Sequence, residues 1–298
     1  MRPGLPFLIT LVASTSAFAQ PRSAAKVPMR AVPCFPQDAK LDTDGNDAMV
    51  CWDKGCMKLD FLATTATWIV KPRTPSQWTS PRAEVKADQV CLGTTCKKLG
   101  KKLVAAIGEY KTNQSQDPAN VVRLQATTDL KAVVVGDVAW NVAGDSKLKF
   151  STPKLYARTG EKPTVSGIEV ANDLMVVHWT ACAGPCTKFA IVDSGGRAKG
   201  PEGEGGGEVI QLDAKRFVVV SEYAEISVFD LKTAKARGVI RTGAGPEQNW
   251  TIRADDSTLY SLFTKNDGVE VMKVGIYDDK DLKPSIEGSM FLPSCGTP

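Results

Sequence analysis

Residues 216–243 read RFVVVSEYAEISVFDLKTAKARGVIRTG. Runs rich in Val, Ile and Phe alternate with short polar breaks, and nothing in the stretch keeps a helical period. Together with VIQLD before it, the pattern predicts four strands, A at 208–213, B at 216–222, C at 225–231 and D at 237–242. The connections are too short for anything but antiparallel hairpins.

The same form recurs along the chain. AKLDTDGNDAMVCW, AEVKADQVCL, VRLQATTDLKAVVVG, GIEVANDLMVVHW, VIQLDAKRFVVVSE and TIRADDSTLYSLF each give an alternating strand, a polar turn and a more apolar strand. Anchored on Leu41, Val85, Leu124, Ile168, Ile210 and Ile252, the copies recur every 39 to 44 residues. A second landmark, the turn after the second strand (Asp53, Gly93, Asp137, Gly184, Tyr223, Asp267), keeps a spacing of 39 to 47. An all-strand repeat of this length is the signature of β-propeller blades. The reading is therefore all-β: a six-bladed β-propeller of four-stranded antiparallel blades over residues 34–298. Tandem β-sandwiches are the alternative. The stretch 216–243 resembles blades of WD40-like and YVTN-type propellers. The WD dipeptide and GH signature are absent, so the resemblance implies architecture and no particular ligand.

The first residues, MRPGLPFLITLVASTSAFAQ, place one Arg before an apolar run and Ala17-Phe18-Ala19 before Gln20. That is the plan of a signal peptide over residues 1–19, cleaved near Ala19, with an extension over 20–33. No Cys follows directly, so no lipid anchor is expected, and no segment is long enough to span a membrane. The protein is expected to be secreted or periplasmic. Its 298 residues carry 37 Lys and Arg against 33 Asp and Glu, a net charge of +4. That balance gives no pull toward nucleic acid.

Eight Cys in an exported chain suggest full pairing. Cys51–Cys56 and Cys91–Cys96 would lie across B–C hairpins, with Gly93 at the first central turn position. Cys182–Cys186 would take the equivalent place in the fourth blade, and Cys34–Cys295 would fasten the ends of the ring. A zinc site built from four thiolates is disfavoured by the compartment and by the third pair, and no C-x-x-C occurs.

The single His, His178, would have to serve any hydrolytic triad, but its strand position reads as structural. Asp42, Asp44 and Asn46 alternate in the manner that suits a hard cation such as calcium. Asp47 stands where an EF-hand loop needs Gly, so the segment reads as a polar turn, and no cofactor is expected. The Gly-rich stretch 194–208 reads as a flexible connection. KKLGKK, with Lys97, Lys98, Lys101 and Lys102, reads as a solvated strand guarding an edge.

Propellers offer their loop faces to partners. The hairpin face would carry Trp52, Asp53, Lys54, Thr94, Asp137, Tyr223, Asn266 and Asp267. The leading expectation is a non-catalytic monomer binding a protein, peptide or glycan there. The alternative is a propeller enzyme, a hydrolase, lyase or quinone-dependent oxidoreductase, with a central channel ringed by Asp42, Lys86, Gln125, Glu169, Gln211 and Arg253. Asn113 and Asn249 head glycosylation sequons that matter only in a eukaryotic secretory pathway.

Overall fold

The computed structural model describes residues 34, 39–44, 46–52, 55–69, 83–114, 124–156, 162–181, 187–221, 225–241, 249–253, 255, 257–265, 267–277, 279 and 283–295. At 67–69, 114, 249, 250, 252 and 253 only the backbone is described. The expected leader and extension, residues 1–33, lie outside these ranges.

Six antiparallel sheets follow one another among the described residues. The first contains β1 (Lys40–Asp44), β2 (Asp47–Trp52), β3 (Gly55–Asp60) and β4 (Thr65–Ile69). The second holds β5 (Glu84–Lys86), β6 (Gln89–Leu92) and β7 (Thr95–Lys98), and leads into helix α1 (Lys101–Gln114). The third is β8 (Leu124–Ala126), β9 (Ala132–Val135), β10 (Val138–Asn141) and β11 (Ser146–Lys147). β12 (Thr164–Ala171), β13 (Leu174–Thr180), β14 (Lys188–Asp193) and β15 (Ala198–Glu204) make the fourth. β16 (Gly207–Gln211), β17 (Arg216–Ser221), β18 (Glu225–Asp230) and β19 (Ala236–Arg241) make the fifth. The sixth is β20 (Asn249–Arg253), β21 (Thr258–Lys265), β22 (Gly268–Gly275) and β23 (Ser285–Pro293). All six repeat anchors fall in first strands.

Each strand pairs only with its chain neighbours, so every sheet is a meander. What joins the sheets is the burial of their middle strands on both faces. In β17, Phe217 and Val219 pack toward the fourth sheet while Val218 and Val220 pack toward the sixth. β13 divides likewise, with Met175, Val177 and Trp179 toward the third sheet and Leu174 and Val176 toward the fifth. A strand covered on both sides needs apolar residues at every position, which is why RFVVVS is continuous rather than alternating. Tandem sandwiches would bury each sheet against one partner only.

The first strands are themselves neighbours: β5 lies against β8, β8 against β12, β12 against β16, and β20 against β1. The last contact closes the series. Val50 and Leu59 of the first sheet share a core with Leu262, Val271 and Leu292 of the sixth, and Phe61 stacks on Tyr260 with ring centroids 5.5 Å apart. Sheets arranged with their first strands inward, the second through the sixth each sharing a core with the next and the sixth with the first, form a β-propeller.

Three expectations need correction. The second sheet has three strands among the described residues, not four, and Lys101 and Lys102 open a helix. Leu103 and Ile107, one turn apart, bury its inner face against Val133, Val135 and Trp140. Residues 198–204 of the Gly-rich stretch form β15 rather than a loose connection. Its glycines answer close approaches: a Cβ on Gly203 would stand 2.2 Å from the Phe189 ring.

Candidate functional site

The hairpin tips are built the way the Cys spacing requires. Cys51 pairs with Cys56 and Cys91 with Cys96, each one ladder step inside the closing pairs Trp52–Gly55 and Leu92–Thr95. Both pairs are disulfides, with Cα atoms 4.0 and 4.1 Å apart. Gly93 takes the positive φ, 58°, that the first turn position demands of a residue without a Cβ.

The third disulfide, Cys34–Cys295, has Cα atoms 4.6 Å apart. It connects to a tip as well: Ser294, beside it, donates its N–H to the Asp267 carbonyl at 2.8 Å. Cys182 and Cys186 lie outside the described residues.

Of the eight expected face residues, Trp52, Thr94, Asp137 and Asp267 are described, whereas Asp53, Lys54, Tyr223 and Asn266 lie outside the described residues. Thr94, Asp137 and Asp267 are exposed. Trp52 is half-buried and packs on the core shared by the first and sixth sheets, so it is seated as well as presented.

The inner strands bring three of the six channel candidates together. Gln125, Glu169 and Gln211 line one cavity of about 240 Å3, with Thr128 and Asn172 at its wall. Two of these side chains also hold the sheets to one another. Gln125 Oε1 accepts the Val170 N–H of the next sheet at 2.7 Å, and Glu169 Oε2 accepts that of Val209 at 3.2 Å. An inner edge has no ladder partner of its own, so a preceding polar side chain satisfies its backbone. Gln211 Nε2 donates to the Asp213 carbonyl at 3.2 Å.

Of the other three candidates, Lys86 and Asp42 do not line the cavity. Lys86 pairs with Glu84 at 2.8 Å in solvent. Asp42 Oδ1 accepts its neighbour's N–H, that of Thr43, at 2.8 Å. The side chain of Arg253 is outside the described residues.

Beside the cavity lies a polar cluster that the sequence reading missed. Ser194 and Thr127 both donate to Asp129, each at 2.7 Å, and Lys131 pairs with it at 3.0 Å. Burial works to raise the Asp129 pKa, but the hydrogen bonds from Ser194, Thr127 and Lys131 outweigh it and hold the carboxyl below its ordinary value. Thr128, Asn172 and Asp173 continue the cluster between the third and fourth sheets. The signal was present in two turn sequences, TTD and ND, that occupy equivalent A–B positions.

In the polar turn at 42–47 the acids have protein partners. Lys58 forms ion pairs with Asp44 and Asp47, and the Asn46 carbonyl accepts the Tyr260 hydroxyl at 2.7 Å. His178 is buried on β13, and burial pushes its pKa down to about 4. Neither ring nitrogen has a hydrogen-bond partner among the described residues, so none of these supplies an acid to orient the imidazole or a hydroxyl held as its nucleophile.

No protein-family model matches the chain, and no curated protein is a significant match. Similar solved structures include Kluyveromyces lactis Hsv2, 13% identical over 88% of this chain and 100% of that one, with a TM-score of 0.30. BamB from Moraxella catarrhalis is 11% identical over 84% and 72%, with a TM-score of 0.37. The WD40 repeats of RRP9 are 8% identical over 86% and 66%, with a TM-score of 0.31. At these scores the fold rests on the pairing and shared cores of the sheets themselves.

Proposed function

We propose that this chain is an exported, non-catalytic β-propeller that binds a protein partner through its hairpin face. The observation carrying the proposal is the placement of the Cys51–Cys56 and Cys91–Cys96 bonds, one step behind the tips. A covalently fixed tip has little conformational freedom to lose on binding, so more of the contact energy appears as affinity. Trp52, seated on the core at one of these tips, has the amphipathic bulk typical of an interface anchor. Asp53, Lys54, Thr94, Asp137, Tyr223, Asn266 and Asp267 complete the proposed surface.

Purified oxidised protein, immobilised and challenged with the cell-envelope fraction of its source, should retain a defined partner by mass spectrometry. Trp52→Ala and Tyr223→Ala should each weaken that capture at least about tenfold, with circular dichroism confirming that both variants are still folded under the capture conditions. Undiminished capture by both variants would reject the hairpin face.

A second reading draws on the cavity itself. Glu169 in its wall would give a small polar ligand a charged contact, and Gln125 and Gln211 would add amides. Glu169→Gln separates the two: it should leave partner capture intact and abolish any small-molecule binding or turnover seated in the channel.

A further inference from the structure

We infer that the open outer edge of β7 is a strand-addition site for an extended acidic segment of another protein. Every other sheet has a fourth strand outside its third, and among the described residues the second sheet does not. All four residues of β7 are exposed.

The register fixes which groups point outward. Leu92–Thr95 closes the two-residue turn, so Cys91–Cys96 and Gln89–Lys98 are the non-hydrogen-bonded pairs. The backbone N–H and C=O of Cys96 and Lys98 therefore face away from β6, and no strand pairs with them among the described residues. The described residues that follow β7 turn away from them. Leu99 N–H turns inward to the Asp88 carbonyl at 2.7 Å, and α1 buries Leu103 and Ile107 against the third sheet instead.

Charge selects the occupant. A cleft beside the edge is floored by Leu99, Leu130 and Val142 and rimmed by Lys97, Lys98 and Lys131. Lys97 is committed to the carbonyls of Asp129 and Leu130, and Lys131 to Asp129. Lys98, Lys101 and Lys102 are exposed and form no ion pair among the described residues. Asp145, the acid lining the cleft, already accepts the Lys102 and Leu103 N–H groups.

The longer segments outside the described residues do not supply the complement. Residues 1–33 contain no acid; 70–82, VKPRTPSQWTSPR, contain none and have three prolines; 115–123 hold one Asp and one Arg. A second copy would set lysine against lysine across the joint, which the same charges oppose. An acidic strand from a different protein satisfies both the backbone and the lysines. Because Lys97 is committed and Lys98 is not, the matching segment carries its acids on the Lys98 face, at alternate positions.

The test is fluorescence polarisation with a labelled peptide in which glutamates alternate with Val and Thr. Its controls are the lysine-for-glutamate peptide and a backbone N-methylated copy. The acidic peptide should bind, and the two controls should not. Lys98→Glu with Lys101→Glu should weaken binding by about tenfold or more. Lys98→Pro should be weaker than Lys98→Gln, since the two share the lost charge and differ in the outward N–H. Far-ultraviolet circular dichroism and the guanidinium unfolding midpoint check that each variant is folded. Trp52→Ala should leave this binding unchanged, which separates it from the hairpin face. Absence of binding, equal binding of the N-methylated peptide, or equal affinity of the Pro and Gln variants would each overturn strand addition.

Discussion

The Tyr260 hydroxyl donates to the Asn46 carbonyl at 2.7 Å, joining the sixth sheet to the turn of the first across a sequence separation of 214 residues. Burial, with Asp47 and other acids nearby, raises the phenol above its ordinary pKa and so keeps it a donor. The Phe61–Tyr260 stack and the Cys34–Cys295 bond close the same joint.

Breaking that joint should have graded effects. Tyr260→Phe removes one hydrogen bond while keeping the ring, and should cost about 1 kcal/mol. Replacing Cys34 and Cys295 by Ser should cost about 5 kcal/mol in the chain-entropy view, because nearly the whole chain lies between them. Cys51→Ser with Cys56→Ser opens a far shorter loop and should cost about 2 kcal/mol. Guanidinium unfolding of the oxidised proteins orders the three; a local pair costing more than the clasp would refute the ranking.

Arg216 is almost wholly buried and fixed at three points. Nε and Nη2 reach Asp213 Oδ2 at 2.8 and 2.7 Å, and Nη1 reaches the Ile276 carbonyl at 2.8 Å. It ties the fifth sheet to the sixth. Arg216→Met leaves the Asp213 carboxylate and the carbonyl without this donor and should cost about 3 kcal/mol. Adding Asp213→Asn should recover part of the loss, as a double-mutant cycle would reveal.

His178 gives the fold a pH dependence of known sign. Its folded pKa of about 4 lies below the ordinary value of 6.5, with burial as the cause. The unfolded chain therefore takes up a proton in this window when the folded one does not, and stability falls as pH drops from about 6.5 to about 4. The loss amounts to about 3 kcal/mol at the lower end. Urea midpoints at pH 7 and pH 4.5 should converge in His178→Leu relative to the parent; an unchanged difference would assign the acid sensitivity to other groups.

Helix α1 borrows its cap. Gly100 stands at the N-cap position, its carbonyl accepting the Val104 N–H at 3.0 Å, while Asp145 from the third sheet accepts the N–H groups of Lys102 and Leu103 at 2.9 and 2.8 Å. A Cβ on Gly100 would fall 2.1 Å from Asp145 Cγ. Gly100→Ala and Asp145→Ala should each speed amide exchange at Lys102 and Leu103. Their combination should be no worse than either alone, because both act through one contact. The Lys102 and Leu103 N–H bonds lower the Asp145 pKa, so its contribution is lost as pH falls through the folded value.

The borrowed cap also explains why the helix escaped the sequence. KKLVAAIGEYKTNQ has Leu103, Ile107 and Tyr110 at helical spacing, but neither a Ser, Thr, Asp or Asn before it nor an acid in its first turn. The missing residue lies in another sheet. The repeat, by contrast, was legible because Val218 and Val220 serve one interface and Phe217 and Val219 another, making second strands such as β9 and β17 continuously apolar at their centres. The hairpin disulfides were legible because Cys91, Gly93 and Cys96 fix both register and turn. The binding role of Gln125 and Glu169 toward the next sheet was not, since a polar residue facing a channel reads alike whether it meets solvent or a backbone N–H. Asp129 and its donors come from turns that only the ring brings together.

The pairing of the first sheet with the sixth has a consequence for biosynthesis. Val50 and Leu59 meet Val271 and Leu292 in one core, so that face of the first sheet waits for its cover until the final strand has been made. In an open stack of repeats, a shortened chain still buries its interior units. Here a chain stopped before the sixth sheet would carry two bare apolar faces, one at each end of the unfinished ring. Late truncations should therefore be lost to aggregation or proteolysis as whole molecules.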